Sequence, residues 1–138
     1  MIYELRIYRC TPGRVESLLS RFQNHTFRIW ERHGIRQSGF WTTLIGKSSR
    51  EITYMLAWDS LAEREKRWKA FLADPEWIAV AVETEKDGPL VEDISSQLLA
   101  PAALAAVNET RSTEAHADPG GTAHPGRGGG ADERTRFA

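Results

Sequence analysis

The chain of 138 residues predicts an α+β fold: a ferredoxin-like βαββαβ antiparallel sheet with its helices on one face. Three observations predict it. Ile2 to Arg9, Gly39 to Ile45, Glu51 to Trp58 and Leu90 to Leu99 read as strands, and two capped helical stretches fall between them in the required order. The segment Ile52 to Trp77 passes from strand to capped helix to Pro-started helix with no spare residues. Finally, the first and third strands, expected at the sheet centre, carry apolar residues on both parities.

In the first strand Tyr3, Leu5 and Ile7 share one face, while Ile2, Glu4, Arg6 and Tyr8 share the other. Thr11-Pro12-Gly13 comes next, with Thr11 placed as a cap and Pro12 at the first helical position. A long helix is expected to run to about His33. Leu18, Leu19, Phe22, Ile29 and Trp30 fall within about 60° of Val15 around its axis and form the stripe that packs on the sheet. Arg32 and His33 suit the negative end of its dipole, and Gly34 supplies the left-handed stop.

Gly39 to Ile45 and Glu51 to Trp58 form a hairpin across Gly46 to Arg50. Gly46-Lys47-Ser48 looks like the end of a phosphate-binding loop, but Trp41 stands where that motif needs glycine and no helix comes after it. Ser60-Leu61-Ala62-Glu63 is a capping box, and the helix it opens is expected to bury Leu61, Trp68 and Leu72. Asp74-Pro75 ends that helix and starts another, with Trp77, Ile78, Ala81 and Val82 turned inward until Asp87-Gly88-Pro89.

One helical layer covers one face of a sheet. The second apolar face needs a partner, and a second copy of the same sheet is the simplest, so a homodimer with facing sheets is expected. Glu4 and Arg6 are then expected as an ion pair on the partner-facing side, with ligand contact as the other role for them.

Composition divides the chain into a domain over 1–101 and a Gly/Ala/Pro-rich tail over 102–138. All 5 tryptophans precede residue 78, and the tail reads as disordered because it has too little apolar surface to offset the entropy of ordering. The formal charge of −1 gives no footprint for nucleic acid. No apolar run approaches a bilayer span, so integral membrane association is not expected. A single cysteine, Cys10, and an amino terminus unlike a signal peptide point to the cytoplasm.

Glu4-Leu5-Arg6 with Tyr8, Pro12-Gly13, His33-Gly34, Gly39-Phe40-Trp41-Thr42-Thr43, Trp58-Asp59-Ser60-Leu61-Ala62-Glu63-Arg64 and Asp74-Pro75-Glu76-Trp77 together resemble the NIPSNAP family over about residues 1 to 101. The resemblance implies a dimeric α/β-barrel, a fold shared with antibiotic-biosynthesis monooxygenases, haem-degrading enzymes and several isomerases. It implies no reaction, since most NIPSNAP-like proteins have none established. Animal members look like mitochondrial interaction proteins, but the amino terminus here lacks a targeting composition. The Gly-rich tail departs from the family pattern.

By analogy with related folds, a small aromatic or apolar ligand is expected between sheet and helices, against Tyr3, His25, Trp30, Tyr54 and Trp58. A cofactor-free monooxygenase or isomerase would need a base and anion donors there, for which His25, Tyr54 and Arg6 are the candidates. No metal or cofactor is expected: His25 and His33 lie about 80° apart around the helix without further ligands. Nucleophilic hydrolysis lacks a Gly-x-Ser-x-Gly elbow. The competing reading is a noncatalytic ligand-binding or protein-interaction module, and the residues do not decide between the two.

Overall fold

The computed structural model describes residues 1–103; the expectation of a disordered tail lies outside the described residues but for its first two positions. The order is β1 (Ile2–Cys10), α1 (Val15–Arg21), a π-helical turn (Phe22–Thr26), α2 (Phe27–Arg32), β2 (Arg36–Thr42), β3 (Glu51–Trp58), α3 (Leu61–Leu72), α4 (Pro75–Thr84) and β4 (Val91–Leu99). The strands form one antiparallel sheet in the order β2-β3-β1-β4. β1 and β3 are central, as the ferredoxin-like pattern requires. The helices pack on one face of it, where the aromatic core lies.

The expected long helix is three pieces in line. The Phe27 N–H reaches back to the Phe22 carbonyl, a π-type bond, and the Thr26 hydroxyl donates to the Arg21 carbonyl at 3.3 Å. Across that turn Phe22, Thr26, Ile29 and Trp30 are all buried against the sheet. Thr11 is not the cap. The helix starts only at Val15, and the Thr11 carbonyl instead accepts from the Arg14 N–H at 3.0 Å in a turn. At the other end Gly34 takes φ 70° and stops the helix as expected.

Both later caps form. The Glu63 N–H donates to the Ser60 hydroxyl at 3.1 Å, while the Glu63 carboxylate returns to the Asp59 N–H, one residue upstream of the usual partner. Asp74 accepts the Glu76 N–H at 2.8 Å with Pro75 opening α4. Its other oxygen is bound by Arg32 and by His33 Nε2, the latter at 2.6 Å, so His33 ties the long helix to the α3–α4 corner. This pairing with His33 first, against a smaller cost of burial and with help from Arg32, pulls the Asp74 carboxyl well below the usual range.

The buried stripes of α3 and α4 differ from expectation. α3 turns Trp68 and Phe71 inward and leaves Leu61 exposed; α4 buries Trp77, with Val80 and Ala81 beside it, and leaves Ile78 and Val82 exposed. Aromatic packing decides the rotation, since Phe71 lies 4.8 Å from Trp77 and 5.3 Å from Trp68, ring centre to ring centre. β2 also ends earlier, at Thr42 opposite Ile52. There the Thr43 hydroxyl donates to the Glu51 carbonyl at 2.9 Å, and Leu44 and Ile45 project from the hairpin tip at 95% and 96% exposure.

Candidate functional site

Register decides which side chains meet. Residues directly opposed across an antiparallel pair share a face. Arg6 opposes Tyr54, Ile2 opposes Trp58 and Glu4 opposes Leu56, so Glu4, Arg6 and Tyr8 point toward the helices together with Tyr54 and Trp58. The expectation that Glu4 and Arg6 face a partner is therefore overturned. Tyr3 opposes Ala57 and lies on the uncovered face, away from Tyr54 and Trp58. The other four expected pocket residues stay on the helical side: Trp30, Tyr54 and Trp58 are buried, and His25 is half-buried on the π-helical turn.

What the interior assembles is a polar network within an aromatic shell. Arg6, 1% exposed, donates from Nε to the Tyr54 hydroxyl at 2.7 Å, from Nη1 to Glu4 Oε2 at 3.0 Å and from Nη2 to the Tyr8 hydroxyl at 3.4 Å. Its guanidinium carbon also lies 4.9 Å from the centre of the Trp68 ring, within cation–π range. Glu4 is fully buried. Its carboxylate additionally accepts from Arg64 Nε at 2.8 Å, Arg64 Nη2 at 3.1 Å, Trp58 Nε1 at 3.0 Å and Ser96 Oγ at 2.7 Å. The ion pair expected between Glu4 and Arg6 forms, but as the centre of a cluster drawn from β1, β3, α3 and β4.

These contacts set the charge states. Burial alone would raise the Glu4 carboxyl, but the Arg64 hydrogen bonds and the charges of Arg6 and Arg64 outweigh it and hold its pKa at about 2. Burial opposes the Arg6 charge, yet the tyrosine oxygens and Glu4 carry its pKa above the ordinary arginine value. Burial drives Tyr54 well above the ordinary tyrosine value despite the pull of Arg6. Tyr54 is therefore a donor and not a base. Cys10, fully buried, has its thiol pushed up to about 11 by burial, which suits packing and not nucleophilic attack.

A count of protons leaves one donor over. The Tyr54 and Tyr8 hydroxyls are 2.8 Å apart and share one hydrogen bond, while Arg6 donates to both oxygens. Two hydroxyl protons serve one bond, so one phenolic O–H is left without an acceptor among the described residues. Tyr8 lines an interior cavity of about 10 Å³ with Thr26, Trp30, Trp68 and Phe71. The Trp30 indole N–H is also buried with no acceptor among the described residues. Two unspent donors thus border a space the size of one oxygen atom. His25 joins none of these hydrogen bonds.

Sequence and fold together place the chain among known proteins. A family profile described as NIPSNAP matches residues 3–106. The chain belongs to the NIPSNAP family. An uncharacterized NIPSNAP domain protein from Burkholderia xenovorans is 29% identical, with 75% of this chain and 96% of that one covered and a TM-score of 0.65. A NIPSNAP family protein of unknown function from Agrobacterium tumefaciens is 28% identical, covering 74% and 88%, with a TM-score of 0.65. A protein described as a putative antibiotic biosynthesis monooxygenase, from Nitrosomonas europaea, is 9% identical over 73% and 98% with a TM-score of 0.52, a likeness of fold alone. Among curated proteins, none matches the chain.

Sequence reasoning about this NIPSNAP domain reached Arg6, Trp30, Tyr54 and Trp58 but missed Tyr8, Arg64 and Ser96 as network members. The alternation Glu4-x-Arg6-x-Tyr8 was the available signal, since it sets three polar groups on one face of a central strand. Among the described residues no group of three or more His, Cys, Asp or Glu is gathered for a metal, and no helix is long and apolar enough to cross a membrane.

Proposed function

We propose that this NIPSNAP domain binds a small aromatic molecule bearing an oxygen substituent on its ring, between the sheet and the helices. The surplus phenolic proton of the Tyr8–Tyr54 pair carries this reading, because a buried donor without an acceptor is costly and a ligand oxygen would relieve it. The charge on Arg6 polarises both hydroxyls, so the site favours a phenol, enol or quinone oxygen and stabilises it further as an anion. Phe22, Trp30, Trp68 and Phe71 give the space beside Tyr8 an aromatic lining that keeps the donor out of water.

The interior supplies donors in plenty and little that accepts a proton. Glu4 is held ionised by its donors and Tyr54 is held protonated. Ligand binding, or stabilising an anion in cofactor-free oxygenase or isomerase chemistry, fits this balance better than proton abstraction by the named candidates. 4-Nitrophenol, titrated against the domain with tryptophan fluorescence as readout, is expected to bind. Tyr8→Phe should weaken it about tenfold, the worth of one hydrogen bond of about 1.4 kcal/mol. Equal affinity in a folded Tyr8→Phe protein would remove the reading.

A homodimer through the uncovered sheet face belongs to the same proposal. Tyr3, Leu5, Ile7 and Met55 are only partly covered there, and Trp41 and Leu99 are exposed. An apolar sheet face of that extent calls for a second layer.

A further inference from the structure

The inner cavity is too small for a ring, and a second space lies outside it. A groove of about 310 Å³ opens between the end of α2 and the start of β2, floored by Phe27, Trp30 and Ile35 and rimmed by Glu31, Arg36 and Gln37. That volume is at the lower end of the range for small-molecule pockets. Trp30 is the residue that lines both spaces. It is 2% exposed, yet its N–H has no acceptor among the described residues. Ring packing against Phe22, Phe27, Tyr54, Trp68 and Phe71, at 5.5 to 6.3 Å between centres, holds the indole instead of a hydrogen bond.

The backbone on either side of it departs from a plain α-helix. Trp30 sits on α2, a six-residue piece bounded by the π-helical turn and by Gly34 at φ 70°. A π turn stores one residue more than an α-helix needs, and converting it would rotate α2 about its axis.

We propose that the groove is the seat of the ligand's ring, that Trp30 is the door between it and the inner donors, and that the occupant is a flat molecule of one or two fused rings bearing an oxygen acceptor. In this arrangement the ring lies on Phe27 and Ile35, and the oxygen passes the displaced indole to reach Tyr8. The indole N–H, left without an acceptor when closed, gains one from the ligand. This inference rests on the inner donors receiving a ligand oxygen.

Stopped-flow tryptophan fluorescence with 4-nitrophenol separates the two ideas, because Trp58, Trp68 and Trp77 still report when Trp30 is replaced. In the wild type the observed rate should level off with concentration, as opening of the door limits entry. Trp30→Ala should remove that plateau and raise the entry rate at least tenfold. Gln37→Trp, an exposed rim change that leaves the core intact, should lower it about tenfold by filling the groove. Unchanged entry rates in both folded variants, with binding retained, would overturn the door and leave the inner site standing. Absence of binding in the wild type and both variants would overturn the inner site and the door with it.

Discussion

Glu4→Gln is expected to lower the unfolding free energy by about 3 to 5 kcal/mol, measured by urea denaturation near neutral pH. The carboxylate is fully buried and takes hydrogen bonds from Arg6, Arg64, Trp58 and Ser96. Glutamine keeps the shape but removes the charge, and leaves Arg6 buried at 1% exposure without its counter-ion. Arg64 is less affected because its side chain reaches the surface at 22% exposure. A loss below about 1 kcal/mol would mean that the cluster is not a rigid buried unit.

The same carboxylate predicts a pH window. Its folded pKa of about 2 lies below the ordinary value of 4.5, so its contribution is complete above about pH 4.5 and is lost as pH falls through 2. The gap is worth about 3 kcal/mol, in accord with the cost of the substitution. The difference between wild type and Glu4→Gln should therefore be constant above about pH 5 and shrink steadily below about 4.5. A difference that grew on acidification would have the wrong sign for a depressed carboxyl.

Leu5→Arg should separate the proposed homodimer, raising its dissociation constant by about 100-fold or more, roughly 2.7 kcal/mol, in analytical ultracentrifugation. Leu5 opposes Met55 on β3 and Gln97 on β4, in the middle of the uncovered face. Placing a charge there sets desolvation against the association of two sheets, while the helical core on the other face is untouched. Wild-type protein that sediments as a folded monomer at micromolar concentration would remove the dimer outright. A dimer that survives Leu5→Arg would place the contact elsewhere.

Much of the fold was legible because its signals are local. The Ser60–Glu63 capping pair, Asp74-Pro75 and Gly34 each act within a few residues, and all three mark real boundaries. The sheet order followed from the element pattern. The site was legible only in part, for a physical reason. Parity along one strand says which residues share a face, but register with the neighbouring strand says which faces coincide, and register is a long-range property. Tyr3 was grouped with Tyr54 and Trp58 on parity alone; Ile2 opposite Trp58 separates them. Arg64 and Ser96 reach Glu4 from 60 and 92 residues away, a convergence no local pattern encodes.

The stripe of the first long helix was legible, since Leu18, Phe22, Ile29 and Trp30 are buried on both sides of the π turn at Phe22–Thr26. Those of α3 and α4 were legible only in part. There the Trp68, Phe71 and Trp77 rings pack on each other, which leaves Leu61, Ile78 and Val82 outside.

If the surplus proton of the Tyr8–Tyr54 pair meets a ligand oxygen, the site should favour the anionic form of that oxygen, because the group offered is a donor polarised by Arg6. Absorbance titration of protein-bound 4-nitrophenol tests this directly, since the phenol and phenolate differ in colour. The bound probe is expected to ionise at lower pH than the free one, and Tyr8→Phe should remove much of the difference. A bound probe that ionises at the same or higher pH than in water would contradict an oxygen site built from these three residues.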